Sequence, residues 1–374
     1  MHPRLAIPIS AACAALLVSL PIHAADSIVV GQSAPLTGGN AEIGNDIRNG
    51  ALAYFGKVNA AGGVNGKKIE LVSLDDKNDR KAAGVNAGKL IHENNVVALF
   101  GFGSATLSLD AVPVAKDNHV TFFAPFTGAD VMRKMSPYVF TVRASYEDEL
   151  GKILDFWSSL GIQRTVVVHY DDEVGNQNFQ TVADYMKKVN KQAVGVKIKR
   201  NAAVEPATLD AIVAADPQII VITTLFGPTT EIVRGLKLRN KPYMYSSLSF
   251  VGPSQLAKSA GPDASGISVA SVVPMFNNMS VPVVKECDDA MKKYGGGAAL
   301  NFTSLEACIA AKVLVEGMKR GGKGDVTRES LYKGLQALGS YDTGGFVVTF
   351  GPSAHHGSKF VDLSVITRTG AFKS

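Results

Sequence analysis

Short apolar runs alternate with longer amphipathic stretches along most of the chain. Ser27 to Ala34 (SIVVGQSA) reads as a strand. Glu42 to Ala61 then sets Ile43, Ile47, Ala51, Tyr54, Phe55 and Val58 at helical spacing, which makes one apolar stripe. Gly62-Gly63 ends that helix and Asn65-Gly66 marks a turn. Lys68 to Asp75 predicts a second strand and Arg80 to Asn94 a second helix. The unit recurs as Val96–Phe100, Ser104–Asp117 and Val120–Ala124. A second series follows: strand Thr165–Tyr170, helix Val174–Asn190, strand Ala193–Ile198, helix Ala207–Ala215, strand Gln218–Thr223 and helix Thr229–Leu238. The runs TVVVHY and QIIVIT are unbroken apolar segments, as expected of strands covered on both faces. Helices near Pro282–Tyr294 and Ser304–Lys319 and strands at Phe346–Phe350 and Val361–Thr367 close the chain. Two strand–helix series predict an α/β fold of two doubly wound parallel-sheet lobes with right-handed crossovers. No Pro/Ser-rich linker separates them, so short extended crossings are expected to join the lobes.

Composition narrows the class. The chain has 374 residues, 46% apolar and 19% charged, enough for two domains and inconsistent with intrinsic disorder. The net charge of +5 is scattered; no basic stripe with interleaved aromatics points to nucleic acid. Met1–Arg4 is short and positive, Leu5–Leu20 is uncharged and apolar or small, and Pro21–Asp26 offers small residues for cleavage after Ala24 or Ala25. That layout predicts a secretory signal peptide over residues 1–24. Its apolar part, about 16 residues, falls short of the roughly 20 needed to span a bilayer. Ser10 stands where a lipoprotein signal usually has Leu, which argues against lipidation at Cys13. Export implies an oxidising, periplasmic setting, in which Cys287 and Cys308 either pair or stay as buried free thiols.

The motif search turns up no catalytic set. Gly101-Phe102-Gly103-Ser104-Ala105-Thr106 follows a strand like a dinucleotide fingerprint, but Thr106 replaces the third Gly. There is no phosphate loop, no nucleophile elbow and no calcium loop after Asp75-Asp76 or Asp171-Asp172. His355-His356 lacks a carboxylate at ligand spacing. No cofactor or metal is expected. A binding site remains. Ligands of open α/β sheets sit beyond the carboxyl ends of the strands. Two such ends, Gly101–Thr106 and Ala124–Gly128, gather hydroxyls and N–H groups suited to a carboxylate. Ser104 and Thr127 either face a ligand or only cap their own helices. Phe102 and Phe126 either form apolar walls or belong to the core.

Gly31 to Gly66 resembles the opening of type I periplasmic binding proteins of the leucine/isoleucine/valine-binding branch, the solute receptors of ABC importers. The match is carried by Pro35-Leu36-Thr37-Gly38, Arg48-Asn49-Gly50-Ala51 and Asn59 to Lys68, and then by Asp75-Asp76, Ala124-Pro125, Tyr138 to Arg143 and Ser145 to Glu149. The resemblance implies two lobes, residues 25–142 plus about 276–355 and residues 143–275 plus about 356–374. The crossings would lie near Arg143, Val273–Met275 and Gly351–Asp362. It also implies closure on a ligand whose carboxylate meets Ser104, Ala105, Thr106, Phe126, Thr127 and Gly128. Leucine-type receptors bring a Glu to the ligand ammonium around Ser246–Ser249, where this chain has only Tyr-Ser-Ser-Leu-Ser-Phe, with Ser247 at its centre. Either Glu147 or Glu149 serves instead, or the ligand lacks an amine and its body rests on Phe102, Phe126, Tyr146 and Phe226. The expectation is a monomeric, non-enzymatic periplasmic receptor that binds a branched-chain or similar amino acid, or a small organic acid, and docks on a membrane permease of an ABC importer. A ligand sensor of the same fold and an exported α/β enzyme are the alternatives.

Overall fold

The computed structural model describes residues 27–240 and 243–374. The expected leader, residues 1–24, lies outside the described residues. The first series runs β1 (Ile28–Ala34), α1 (Ala41–Ala60), β2 (Ile69–Asp75), α2 (Arg80–His92), β3 (Ala98–Phe100), α3 (Ala105–Ser108), α4 (Ala111–Asp117), β4 (Thr121–Phe123), α5 (Asp130–Met135) and β5 (Val139–Phe140). The second runs α6 (Tyr146–Ser159), β6 (Arg164–Tyr170), α7 (Glu173–Lys188), β7 (Gln192–Ile198), α8 (Pro206–Ala214), β8 (Ile219–Ile222), α9 (Phe226–Lys237), β9 (Met244–Ser247), α10 (Pro253–Ala260) and β10 (Ser268–Ser271). The chain then makes α11 (Pro282–Tyr294), α12 (Phe302–Arg320), α13 (Arg328–Gln336), β11 (Gly339–Asp342), β12 (Val347–Phe350), β13 (Asp362–Ile366) and β14 (Phe372–Lys373).

The first sheet has the order β2-β1-β3-β4-β5, all parallel. The second has the order β7-β6-β8-β9-β10-β13-β14. Its first five strands repeat the winding of the first sheet, and all of those pairings are parallel. The added strands β13 and β14 run antiparallel. They are the return of the chain after its excursion through α11–α13, and a returning edge strand needs no crossover helix. Each sheet therefore has a switch point, β1/β3 and β6/β8, where consecutive crossovers leave on opposite faces. Those points are where open α/β sheets take ligands.

The cores follow the strand patterns. β3 and β8 are buried at every position and β6 at all but its first. The helix α12 is buried nearly all round, because it lies under α1, α11 and α13. Gly50 in α1 faces that helix so closely that a Cβ would sit 2.1 Å from the Ser304 carbonyl oxygen. This gives the Arg48–Ala51 motif a packing reason. Cys287 in α11 and Cys308 in α12 are bonded, with Cα atoms 6.0 Å apart, which closes the alternative left by the sequence. One expected helix is divided: Ser104–Asp117 forms α3 and α4, broken at Leu109-Asp110. Pro113 cannot donate to Leu109, and its ring crowds that carbonyl, so an unbroken helix is disfavoured.

The chain passes between the sheets after β5, after β10 and before β13. The first and third passages are laced together: the Thr141 N–H donates to the His355 carbonyl at 2.9 Å, and the Gly357 N–H to the Thr141 carbonyl at 2.7 Å. Among the described residues, no helix is long and apolar enough to cross a membrane.

Candidate functional site

The carboxyl ends of both sheets face one another and enclose a small pocket. It is lined by Ser104, Ala105, Thr106 and Thr127 from the first sheet's loops. Tyr146, Tyr170, Val174, Gly175, Asn178, Arg200, Thr223 and Phe250 line the other side. Its cavity volume is about 10 Å³, room for about one water, so the two walls are nearly in contact and must part to admit a ligand. The lobes touch across the cleft. Lys258 Nζ meets Glu42 at 3.1 Å, Gln255 Nε2 donates to Asp46 at 2.6 Å and Asn78 Nδ2 donates to Asn201 at 3.0 Å.

The first-lobe wall is built from a capped turn. Ser104 precedes α3 and its Oγ accepts the Leu107 N–H at 3.2 Å. That leaves the amides of Ala105 and Thr106 with no acceptor inside the helix. The Thr106 hydroxyl has no partner among the described residues and is half-buried on the pocket wall. Thr127 Oγ1 accepts the Ala129 N–H and donates to Tyr146 Oη, both at 3.1 Å. Burial pushes the Tyr146 hydroxyl up to about 12, so it keeps its proton and can donate it into the pocket. Gly128 lies behind this pair. Its carbonyl accepts the Tyr146 N–H at 2.8 Å, and a Cβ there would lie 2.7 Å from that nitrogen.

The sequence-expected residues divide into two groups. Ser104, Ala105, Thr106, Thr127 and Tyr146 converge on the pocket. Phe102 lies instead in the first core, its ring 4.7 Å from Phe122. Phe126 sits behind the pocket with its ring 5.2 Å from the Arg143 guanidinium. Phe226 opens α9, half-buried against the core. Ser247 is fully buried and gives its hydroxyl to the Ile222 carbonyl at 2.6 Å. Phe102, Phe126, Gly128, Phe226 and Ser247 are therefore absent from the pocket lining.

Neither proposed acid stands in the pocket. Glu149 is buried in a three-charge cluster at the lobe junction. Its Oε1 accepts from Arg143 at 3.0 Å, and Ser249 adds its N–H at 2.7 Å and its hydroxyl at 2.9 Å. Glu306 of α12 meets Arg143 from the other lobe at 3.3 Å. Burial pushes the Glu306 carboxyl up to about 7, against the pull of Arg143. Glu147 is exposed and lines an outer chamber with Asp130, Lys134, Glu173 and Gln177. That chamber shares Tyr146, Val174 and Asn178 with the inner pocket.

Several lining residues escaped the sequence reading: Tyr170, Asn178, Arg200, Thr223 and Phe250. A signal was available for three of them. Tyr170, Arg200 and Thr223 lie at or just after the carboxyl ends of β6, β7 and β8, the positions that single out Ser104 and Thr127 in the first sheet.

A profile of the periplasmic binding protein family matches residues 27–370. A structure from Rhodopirellula baltica SH 1, described as a possible leucine/isoleucine/valine-binding protein, superposes with a TM-score of 0.89 at 28% identity, over 94% of this chain and 97% of that one. A substrate-binding periplasmic protein from Ralstonia solanacearum superposes with a TM-score of 0.87 at 30% identity, over 92% and 99% of the two chains. An amino acid binding protein of Pseudomonas aeruginosa is 24% identical over 249 residues; the match spans 66% of each chain, about two thirds of that relative's length. With its two-sheet fold and a pocket at the facing switch points, the chain belongs to the periplasmic binding proteins, of type I and similar to the leucine/isoleucine/valine-binding branch.

Proposed function

We propose that the protein is a periplasmic solute receptor of an ABC importer. It captures a small carboxylate-bearing nutrient between its lobes and delivers it unchanged to a membrane permease. The observation that carries this reading is the inner pocket itself. Two lobes close on a space walled by one free threonine hydroxyl, two unsatisfied helix amides and a protonated tyrosine hydroxyl, all donors suited to a carboxylate. The lining has no histidine, cysteine or carboxylate, so the reading has it bind without catalysis. A leader cleaved after Ala24 or Ala25 and the Cys287–Cys308 bond fit an oxidising compartment. The receptor acts as a monomer. Its lobes, residues 25–142 with about 276–355 and 143–275 with about 356–374, move on the three passages as hinges, and the permease reads the closed form.

The ligand class follows from the wall chemistry. An ammonium in the inner pocket would lack a carboxylate partner, which is costly, so an amine-free acid is favoured. One observation supports an amino acid instead: Glu147 and Glu173 border the outer chamber, where an ammonium pointing outward would find them. A thermal-shift screen of amino acids, aliphatic amides and aromatic and aliphatic acids separates the two. A ligand at about 100 times its Kd raises stability by roughly 2.7 kcal/mol. Stabilisation by acids alone is expected. Stabilisation by leucine or valine, abolished by Glu147→Gln, would favour the amino acid. No stabilisation by any small acid or amino acid would overturn the receptor reading.

A further inference from the structure

The inner pocket carries a single charged side chain, Arg200, just beyond β7 on the second-lobe wall. It is held by two neighbours. Its Nε and Nη2 donate to Asp172 Oδ2 at 2.9 and 2.6 Å. Its guanidinium lies 3.8 Å from the centroid of the Tyr170 ring. Asp172 is itself fixed, because its other oxygen caps α7 by accepting the Gly175 N–H at 2.8 Å. Tyr170 is fixed as well, its hydroxyl accepting the Leu225 N–H at 3.2 Å. The remaining guanidinium nitrogen, Nη1, makes no hydrogen bond among the described residues. That single preset nitrogen suits one oxygen acceptor. The same arrangement closes the wall to amines. The one carboxylate nearby is already bonded to Arg200 and a helix amide, and the tyrosine face that would attract a cation is covered by the guanidinium.

We infer that Arg200 is the specificity-determining residue of this receptor: it takes an acceptor oxygen on the end of the ligand opposite the Thr106 wall. The ligand is then an amine-free acid with acceptors at both ends, of the short-dicarboxylate class. The inference rests on the inner pocket being the ligand site. The neutral donors around Thr106 hold one carboxylate, and Arg200 reads the other. A monocarboxylate fills the first position and leaves Arg200 without a ligand partner. An α-amino acid places its ammonium beside the Arg200–Asp172 pair, whose carboxylate oxygens are already engaged by the guanidinium and a helix amide.

The test is calorimetry of glutarate, adipate, 4-methylpentanoate and leucine against the wild type, Arg200→Met, Arg200→Lys and Thr106→Ala. A charge-assisted bond predicts that the wild type takes one dicarboxylate about tenfold or more tighter than 4-methylpentanoate, and leucine weakest of all. Arg200→Met erases that preference and leaves the monocarboxylate within about twofold, while Arg200→Lys keeps part of it. The ratio of affinities within each variant is read, so a general loss of stability does not imitate the result. Leucine binding tightest in the wild type, an unchanged ratio in Arg200→Met and Arg200→Lys, or no binding of any acid overturns the inference. Thr106→Ala weakens every acid alike if the pocket is the site. Weakening by Thr106→Ala with no change of ratio at Arg200 sinks the arginine assignment alone. Unchanged affinities in both variants sink the pocket.

Discussion

Thr106 and Thr127 look equivalent in the sequence, each a hydroxyl just past a strand, but the structure gives them different duties. Thr127 is engaged twice within the protein, by the Ala129 N–H and by Tyr146. Thr106 is free. Thr106→Ala is therefore expected to weaken ligand binding by about 1–3 kcal/mol and leave the melting temperature nearly unchanged. Thr127→Ala is expected to weaken binding and also lower the melting temperature, because it leaves the Ala129 N–H of the turn before α5 without its acceptor and loosens Tyr146. Calorimetry paired with a thermal melt on each variant checks this. Equal melting temperatures for the two would contradict the division. Both residues were legible from the strand-end rule. What the sequence hid was the state of each hydroxyl, because the partners Ala129 and Tyr146 are set by the loop path and not by local pattern.

Among elements, α11 and α12 show how covalent and packing constraints combine. Both helices were visible from their periodicity. Their pairing through Cys287 and Cys308 was not, since it depends on the Cα separation of 6.0 Å that only packing sets. The bond closes a loop of 21 residues, for which chain entropy gives about 3 kcal/mol. Replacing both cysteines by serine is predicted to lower the unfolding free energy in denaturant by that order. Treatment with a thiol reductant should bring the wild type to the same value, and no difference between oxidised and reduced protein would refute the assignment. The division of Ser104–Asp117 into α3 and α4 is a case where a local signal, Pro113, was present but outweighed by the apolar periodicity on either side of it.

At the scale of the whole molecule the charges at the lobe junction matter most. Arg143, fully buried, joins Glu149 of the second lobe and Glu306 of the first. Burial raises Glu306 from the usual carboxyl range to about 7. A carboxyl raised in the folded state favours folding below its unfolded value, near 4.5, and that contribution fades as pH rises through about 7. Asp46 and Asp76, each pushed up to about 6 by burial, act in the same direction. Glu306 by itself is thus expected to lower stability between about pH 5 and 7, by on the order of 2–3 kcal/mol, while His169, His355 and His356, each lowered by burial, act in the opposite direction. Glu306→Gln should remove its downward share of the slope of melting temperature against pH in that window, and an unaltered slope would count against the assignment. Closure makes its own prediction. Gln255→Ala removes a donor that crosses the cleft to Asp46 without touching the pocket. Ligand affinity should fall several-fold, for about 1 kcal/mol lost from the closed form. An affinity equal to that of the wild type would exclude a role for this contact in closure.

The sequence by itself determined the elements and their class. Strand and helix periods are local properties, and so are the caps and glycine stops that bound them; Gly31–Gly66 carried the family resemblance on the same short scale. It also marked the donor-rich ends of β3 and β4. Only the tertiary structure decided what those ends face. Sheet order sets β6, β7 and β8 beside one another, and the three passages then bring their carboxyl ends opposite Thr106. That places Arg200, whose strand-end position alone does not say what it faces, on the far wall, and leaves Phe102 and Ser247 inside the cores. Side chains far apart in the chain meet there because backbone pairing and burial are satisfied over whole lobes, and no window of sequence contains that sum.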